Sequence, residues 1–121
     1  MDNIEIKKLV IDDITIKYVE WLRDPKIIKY SNLQYLKTTL EKQIDYVNKM
    51  NTSSENILFG IFSDRHHIGN ILLRSINFNH KTAEISYLIG NKKFLNQGIA
   101  TYAVQLVCQY STMKLNLKRL L

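Results

Sequence analysis

Three apolar runs crowd the middle of the chain: "NILFGIF" over 56–62, "IGNILLRSI" over 68–76 and "TAEISYLIG" over 82–90. Only the short polar connections "SDRHH" and "NFNHK" separate them. Connections of that length close hairpins and cannot carry the crossover that parallel neighbours require, so the three runs form an antiparallel meander. The other elements must cover this sheet.

Before the meander, "IEIKKLV" (4–10) alternates as a strand should, and Asp12 or Asp13 then caps a helix running through Trp21. Ile14, Tyr18, Trp21 and Leu22 supply its apolar stripe. Asp24 and Pro25 start a short helix that ends near Tyr30. In "TTLEKQIDYVNKM", Thr38 and Glu41 have capping-box spacing, and Leu40, Ile44, Val47 and Met50 form the buried side of a further helix. After the meander a helix runs from Ile99 to about Lys114, and "LNLKRLL" begins one more strand. The expected order is β-α-α-β-β-β-α-β, an α/β (α+β) fold with a mainly antiparallel mixed sheet flanked by helices.

A length of 121 residues with 45% hydrophobic content suits one domain around a single core. The lone cysteine, Cys108, excludes an internal disulfide and a multi-cysteine zinc site, and makes a reducing cytoplasm the expected compartment. No stretch approaches a signal peptide or a membrane span. The net charge of +6 favours acidic partners. The lysines are scattered, however, with adjacent pairs only at sites such as Lys7-Lys8, Lys92-Lys93 and Lys118-Arg119. They form no continuous stripe, and the aromatic residues fall mainly on apolar faces, so nucleic acid is a disfavoured partner. His66, His67 and His80 lack metal-ligand spacing and read as ordinary turn residues, so no metal is expected.

The chemistry concentrates in "TAEISYLIG" and in "FLNQGIATYAVQL" (94–106). Along the first, Ala83, Ile85, Tyr87 and Ile89 point one way and Thr82, Glu84, Ser86 and Leu88 the other. Glu84 on that polar side reads either as a general base facing an open cavity or as an exposed strand residue, for example one ion-paired to Arg74. In the second stretch Gly98 stands before a strongly apolar helix. A glycine there permits close approach to the backbone, and the unpaired N–H groups and positive dipole of a helix start can hold an anion. A simple turn is the other reading. Ala100, Ala103, Val104, Val107 and Cys108 share one face of this helix, with Ile99, Tyr102, Leu106, Tyr110 and Met113 adjoining, so it reads as mostly buried and Cys108 as an inert core thiol.

The succession of strand, basic loop "NKKFLNQ", glycine and buried helix resembles the GNAT N-acetyltransferase superfamily, particularly the branch of ribosomal-protein-alanine and amino-sugar acetyltransferases. "FLNQGIATYAVQLVCQY" is similar to its acetyl-CoA motif, Q/R-x-x-G-x-G/A, with Gly98 and Ala100 at the last two marked positions and Leu95 departing at the first. "YVEWLRDPKIIKYS" is similar to that branch's early helix segment. The resemblance implies acetyl-CoA as co-substrate. Its pyrophosphate would be held by the backbone N–H groups of Asn96, Gln97, Gly98, Ile99, Ala100 and Thr101, and its pantetheine arm by main chain at Leu88, Ile89 and Gly90. A backbone N–H close to Leu88 would polarise the thioester carbonyl, and Glu84 would remove the amine proton. The implied acceptor is a small amine such as an amino sugar, or a protein N-terminus. A non-catalytic CoA-binding or oligomerisation module is the alternative function.

Members of the superfamily continue past the fifth strand, with a further helix that often carries a tyrosine acid. Against that pattern residues 1–121 read as a single N-acetyltransferase-like domain incomplete at its C-terminus, truncated in or after the fifth strand. Its exposed sheet edge is expected to be covered in a homo-oligomer.

Overall fold

The computed structural model describes residues 3–24, 38–94 and 97–120. Its five-stranded sheet has the order β1-β2-β3-β4-β5, with β1 Ile4–Lys8, β2 Ile57–Ser63, β3 His66–Asn77, β4 Thr82–Ile89 and β5 Arg119–Leu120. The first four strands are antiparallel neighbours, while β5 runs parallel to β4 and pairs with Thr82 and Ala83. The meander is therefore as the short connections demand. Asp64 and Arg65 both take positive φ, 48° and 70°, between β2 and β3, as the mirror-image turns that suit twisted hairpins require.

Helix α1 spans Ile16–Arg23, α2 Leu40–Thr52 and α3 Ile99–Lys114. Both early caps differ from expectation by a few residues. Asp13 turns back to accept from the Val10 N–H at 2.9 Å, which closes a 3-10 turn over Ile11–Asp13. Thr15 then caps α1, accepting from Tyr18 N at 3.2 Å. At α2 the cap is Thr39, which accepts from Lys42 N, because the Thr38 hydroxyl is buried and accepts instead from Gln43 Nε2 at 2.7 Å. Arg23 Nε also donates to Thr38 O at 2.8 Å, tying the end of α1 to the start of α2. The short helix expected after Asp24 lies outside the described residues.

Strand alternation divides the interior between the two faces of the sheet. Phe59, Ile61, Ile71, Leu73, Ala83 and Ile89 pack toward α3, whereas Leu58, Phe62, Leu72 and Leu88 pack toward α1 and α2. Helix α3 meets the sheet through one stripe, Ile99, Ala103, Val107 and Ser111, spaced four apart. It is less buried than its composition suggests: Met113 is 78% exposed, and Ala100, Val104 and Cys108 are half-buried. Ser111 fits the core because its hydroxyl donates to Val107 O at 2.8 Å.

The pairing of β2 with β3 slips between Ile61 and Phe62, leaving Ile68 as an extra residue on β3. This bulge reverses the alternation, so that Ile68 and Ile71 share the α3 face while His67 and Asn70 share the other.

Candidate functional site

Gly98 caps α3 in the left-handed conformation, φ 73° and ψ 7°, and provides no side-chain acceptor. A residue with a Cβ pays roughly 1–2 kcal/mol for that conformation. The first helical bond runs from Tyr102 N to Gly98 O at 3.1 Å, so the N–H groups of Ile99, Ala100 and Thr101 have no acceptor within the helix. Ile99 anchors the turn through its buried side chain, while Gln97, Gly98 and Thr101 are exposed. Gln97 Nε2 donates to Lys93 O at 2.6 Å and folds the preceding loop toward the helix start. Leu95 and Asn96 lie outside the described residues.

The second part of the site is an edge of β4. Main-chain groups along an antiparallel strand point alternately to either neighbour. Gly90 N donates to Ile68 O at 2.8 Å, and the register runs unbroken from Gly69↔Ile89 to Arg74↔Glu84, so the main chain of Leu88 and Gly90 is directed at β3. At the other end of β4, Lys81 O accepts from Lys118 N at 2.8 Å and from Arg119 N at 3.2 Å on the β5 side. Odd-numbered residues therefore face β5. Pairing with β5 among the described residues stops at Ala83, so the N–H and C=O groups of Ile85, Tyr87 and Ile89 face outward along one edge.

Glu84 lies on the other side chain row, directly opposite Arg74, whose Nε donates to Glu84 Oε2 at 2.9 Å. Both side chains are about half exposed, 47% for Glu84, so the pair contributes roughly 0–1 kcal/mol. Glu84 is four residues from Leu88, about 13 Å along the strand. A proton taken from a group at the end of β4 would reach it through water.

At that end a cleft of about 380 Å³ opens between α1 and the residues after β4, lined by Lys17, Glu20, Trp21, Asp24, Gly90, Asn91 and Lys93. Trp21 rests on the Gly90 backbone, in space that a Cβ would occupy. Glycine is needed here for packing. Behind Trp21 the sequence reading missed a buried polar group. His67, expected in a turn, is a β3 residue whose ring stacks on Tyr18 and Phe62 at centroid separations of 5.4 and 5.2 Å, with its edge against Trp21 at 5.1 Å. Its Nε2 lies 2.7 Å from Asn70 Oδ1, and Asn70 Nδ2 donates to the Tyr18 hydroxyl at 3.0 Å. Burial lowers the His67 pKa, partly offset by the bond to Asn70, and raises that of Tyr18 to about 12. The i, i+3 spacing of His67 and Asn70 carried no signal without the bulge that places them on one face. Among the described residues no three His, Cys, Asp or Glu side chains gather as a metal site, and no helix is long and apolar enough to cross a membrane.

A curled mixed sheet, a glycine-capped helix and an outward-facing β4 edge define an acetyltransferase fold, and the comparisons with known proteins agree. The family model described as "Acetyltransferase (GNAT) domain" matches residues 3–121, and the chain belongs to that family. No curated protein matches it. Among solved structures, the chain is similar to the spermidine N-acetyltransferase from Vibrio cholerae in complex with CoA and spermine, with a TM-score of 0.82, 18% identity, and coverage of 99% of this chain and 70% of that one. A protein described as "Probable acetyltransferase" gives a TM-score of 0.81 at 20% identity over 99% and 69% of the two chains. The dodecameric form of the Vibrio cholerae enzyme gives 0.77 at 20% identity over 99% and 68%. At these identities the likeness is one of fold.

Proposed function

We propose that the chain transfers an acetyl group from acetyl-CoA to a primary amine by direct attack. The observation that carries this reading is the left-handed Gly98 cap, which opens the first N–H groups of a helix that packs against β4, the strand with the outward-facing edge. Such an entrance suits a pyrophosphate, because short main-chain donors and the positive helix end act together with no side chain in the way. Asn96, Gln97, Gly98, Ile99, Ala100 and Thr101 would hold that group. Leu88, Ile89 and Gly90 would receive the pantetheine arm; Ile89 offers outward main-chain groups and its neighbours shape the strand end.

Acetyl-CoA, when bound, supplies an activated thioester. The Ile89 N–H, which faces outward next to Leu88, would polarise its carbonyl. The amine nitrogen forms the new bond to the acetyl carbon as the C–S bond breaks and the thiolate departs. Glu84 takes the surplus amine proton through water.

The cleft mixes cations, Lys17 and Lys93, with carboxylates, Glu20 and Asp24. An amine that also bears an anionic group, such as a nucleotide-linked amino sugar, fits this mixture better than a polyamine; a protein N-terminus is the second acceptor class. Because a relative is dodecameric, a homo-oligomer is the assembly to test by light scattering. The Arg74–Glu84 pair favours a second reading, a CoA-binding module without turnover. Calorimetric titration with acetyl-CoA, followed by thiol release in the presence of an amine panel, separates the two. Saturable binding without turnover selects the module, and absence of binding removes both.

A further inference from the structure

We propose that Trp21 is the wall against which the acceptor amine is seated, and that the Tyr18–Asn70–His67 group positions its indole. This deepens the acetyl-transfer reading and rests on it.

Trp21 lies in the second turn of α1, far in sequence from β4, yet its ring covers Gly90 and closes one side of the cleft. Gly90 follows directly after Ile89, whose main chain faces the edge proposed for the thioester. An amine in the cleft would therefore meet the end of β4 beside this ring. Three surfaces set the indole's position: the Gly90 backbone, the Tyr18 ring of the same helix at a centroid separation of 6.0 Å, and the His67 ring, 5.1 Å away at an interplanar angle of 60°. His67 is itself fixed by two stacked rings and by Asn70.

The polar members bond to one another, and the Gly69 main chain gives the His67 ring a further partner. With Asn70 Nδ2 donating to Tyr18, Asn70 Oδ1 must accept, so His67 carries its proton on Nε2. Asn70 is 8% exposed and Tyr18 2%, hence a lost partner leaves a buried polar atom unsatisfied. Hydrophobic packing alone does not require such a chain, which gives the ring cluster one arrangement. The charged and titratable groups facing His67 are Lys7 from β1, Asp13 from the 3-10 turn and the Tyr18 hydroxyl from α1; Phe62 of β2 adds none. Lys7 Nζ sits 4.4 Å from the Phe62 ring centroid.

The network and the proposed phosphate cradle lie on opposite faces of the sheet, since α1 covers one face and α3 the other. That separation makes the proposal distinguishable from the function it serves. Loss of pyrophosphate binding strikes the cradle, and a change in amine KM larger than any change in acetyl-CoA affinity reports on Trp21.

The chain contains one tryptophan, so its emission reports this site alone. The test compares wild type with Trp21→Phe and His67→Phe, the second keeping a stacked ring while removing the donor to Asn70. Acetyl-CoA binding by calorimetry should stay within about twofold in His67→Phe, which touches none of the residues proposed to hold the cofactor, and in Trp21→Phe, whose ring meets Gly90 at the pantetheine end, it should change less than the amine KM does. At saturating acetyl-CoA, initial rates are measured with uridine diphosphate glucosamine, an alanine-initiated peptide and spermidine. For whichever amine is acetylated, Trp21→Phe should raise KM about tenfold or more with kcat less affected, and His67→Phe should raise KM by a smaller factor. In wild type, Trp21 emission should titrate with a midpoint below 6.5, and His67→Phe should lose that step. Unchanged amine KM in Trp21→Phe overturns the proposal. If none of the three amines turns over, their effect on Trp21 emission with CoA present decides: a saturable response supports the wall, and no response at millimolar amine overturns it. Failure of acetyl-CoA to bind wild type instead strikes the acetyl-transfer reading, whatever Trp21 reports.

Discussion

The indole of Trp21 lies on the backbone of Gly90, so that α1 and the end of β4 meet without a side chain between them. Gly90→Ala places a methyl group inside the ring. Overpacking of this kind costs about 1–3 kcal/mol, and the denaturation midpoint should fall accordingly. Because the indole must shift, its emission spectrum should change in the folded variant as well. An unchanged midpoint and spectrum would show that the contact yields without cost.

Gly98 answers to two demands, a left-handed φ of 73° and an open approach to the first N–H groups of α3. Separate substitutions can pull them apart. Gly98→Asn tolerates the conformation and should keep most of the stability, whereas Gly98→Val should lose roughly 1–2 kcal/mol or more. Both add a side chain at the helix entrance, and both should weaken acetyl-CoA binding in calorimetry, valine by about tenfold. Wild-type affinity in a folded Gly98→Val protein would return this glycine to the role of a turn.

Glu84 separates the enzyme reading from the binding-module reading. Glu84→Gln should lower the acetylation rate by about 10²-fold or more if the carboxylate removes the amine proton, while acetyl-CoA affinity is unchanged. Stability should move by less than about 1 kcal/mol, because the lost partner is a half-exposed ion pair. Arg74→Gln, which frees the carboxylate, should leave activity in place. Equal rates for wild type and Glu84→Gln across the pH range would leave the pair a structural one.

The meander, the extent of α3 and the glycine at its start were legible because short polar connections, an apolar run and a lone glycine are local signals. The edges of α1 and α2 were less so: Asp13 and Thr38 look like caps in sequence, but their oxygens accept from the nearby Val10 N–H and Gln43 Nε2, which leaves the capping to Thr15 and Thr39. The ring cluster at His67 could not be read at all. It depends on an extra residue at Ile68 that turns His67 and Asn70 to one face, and a mostly apolar run such as 68–73 does not show where the alternation breaks. Glu84 stands between these cases, since its face follows from alternation but its pairing with Arg74 depends on register.

His67 should make stability depend on pH, and the sign follows from its environment. Burial lowers its pKa in the folded chain below the ordinary 6.5, so on acidification the unfolded chain takes the proton first. Stability is complete above the unfolded value and falls as pH drops from about 6.5 toward the folded pKa, where the loss levels off. Within that window the contribution of one histidine cannot exceed about 1.4 kcal/mol per pH unit. His67→Phe should flatten this part of the curve. Urea midpoints measured from pH 8 to pH 5 give the comparison. Parallel curves for wild type and His67→Phe would mean that the buried ring accepts its proton without cost, which its burial among three aromatic neighbours argues against.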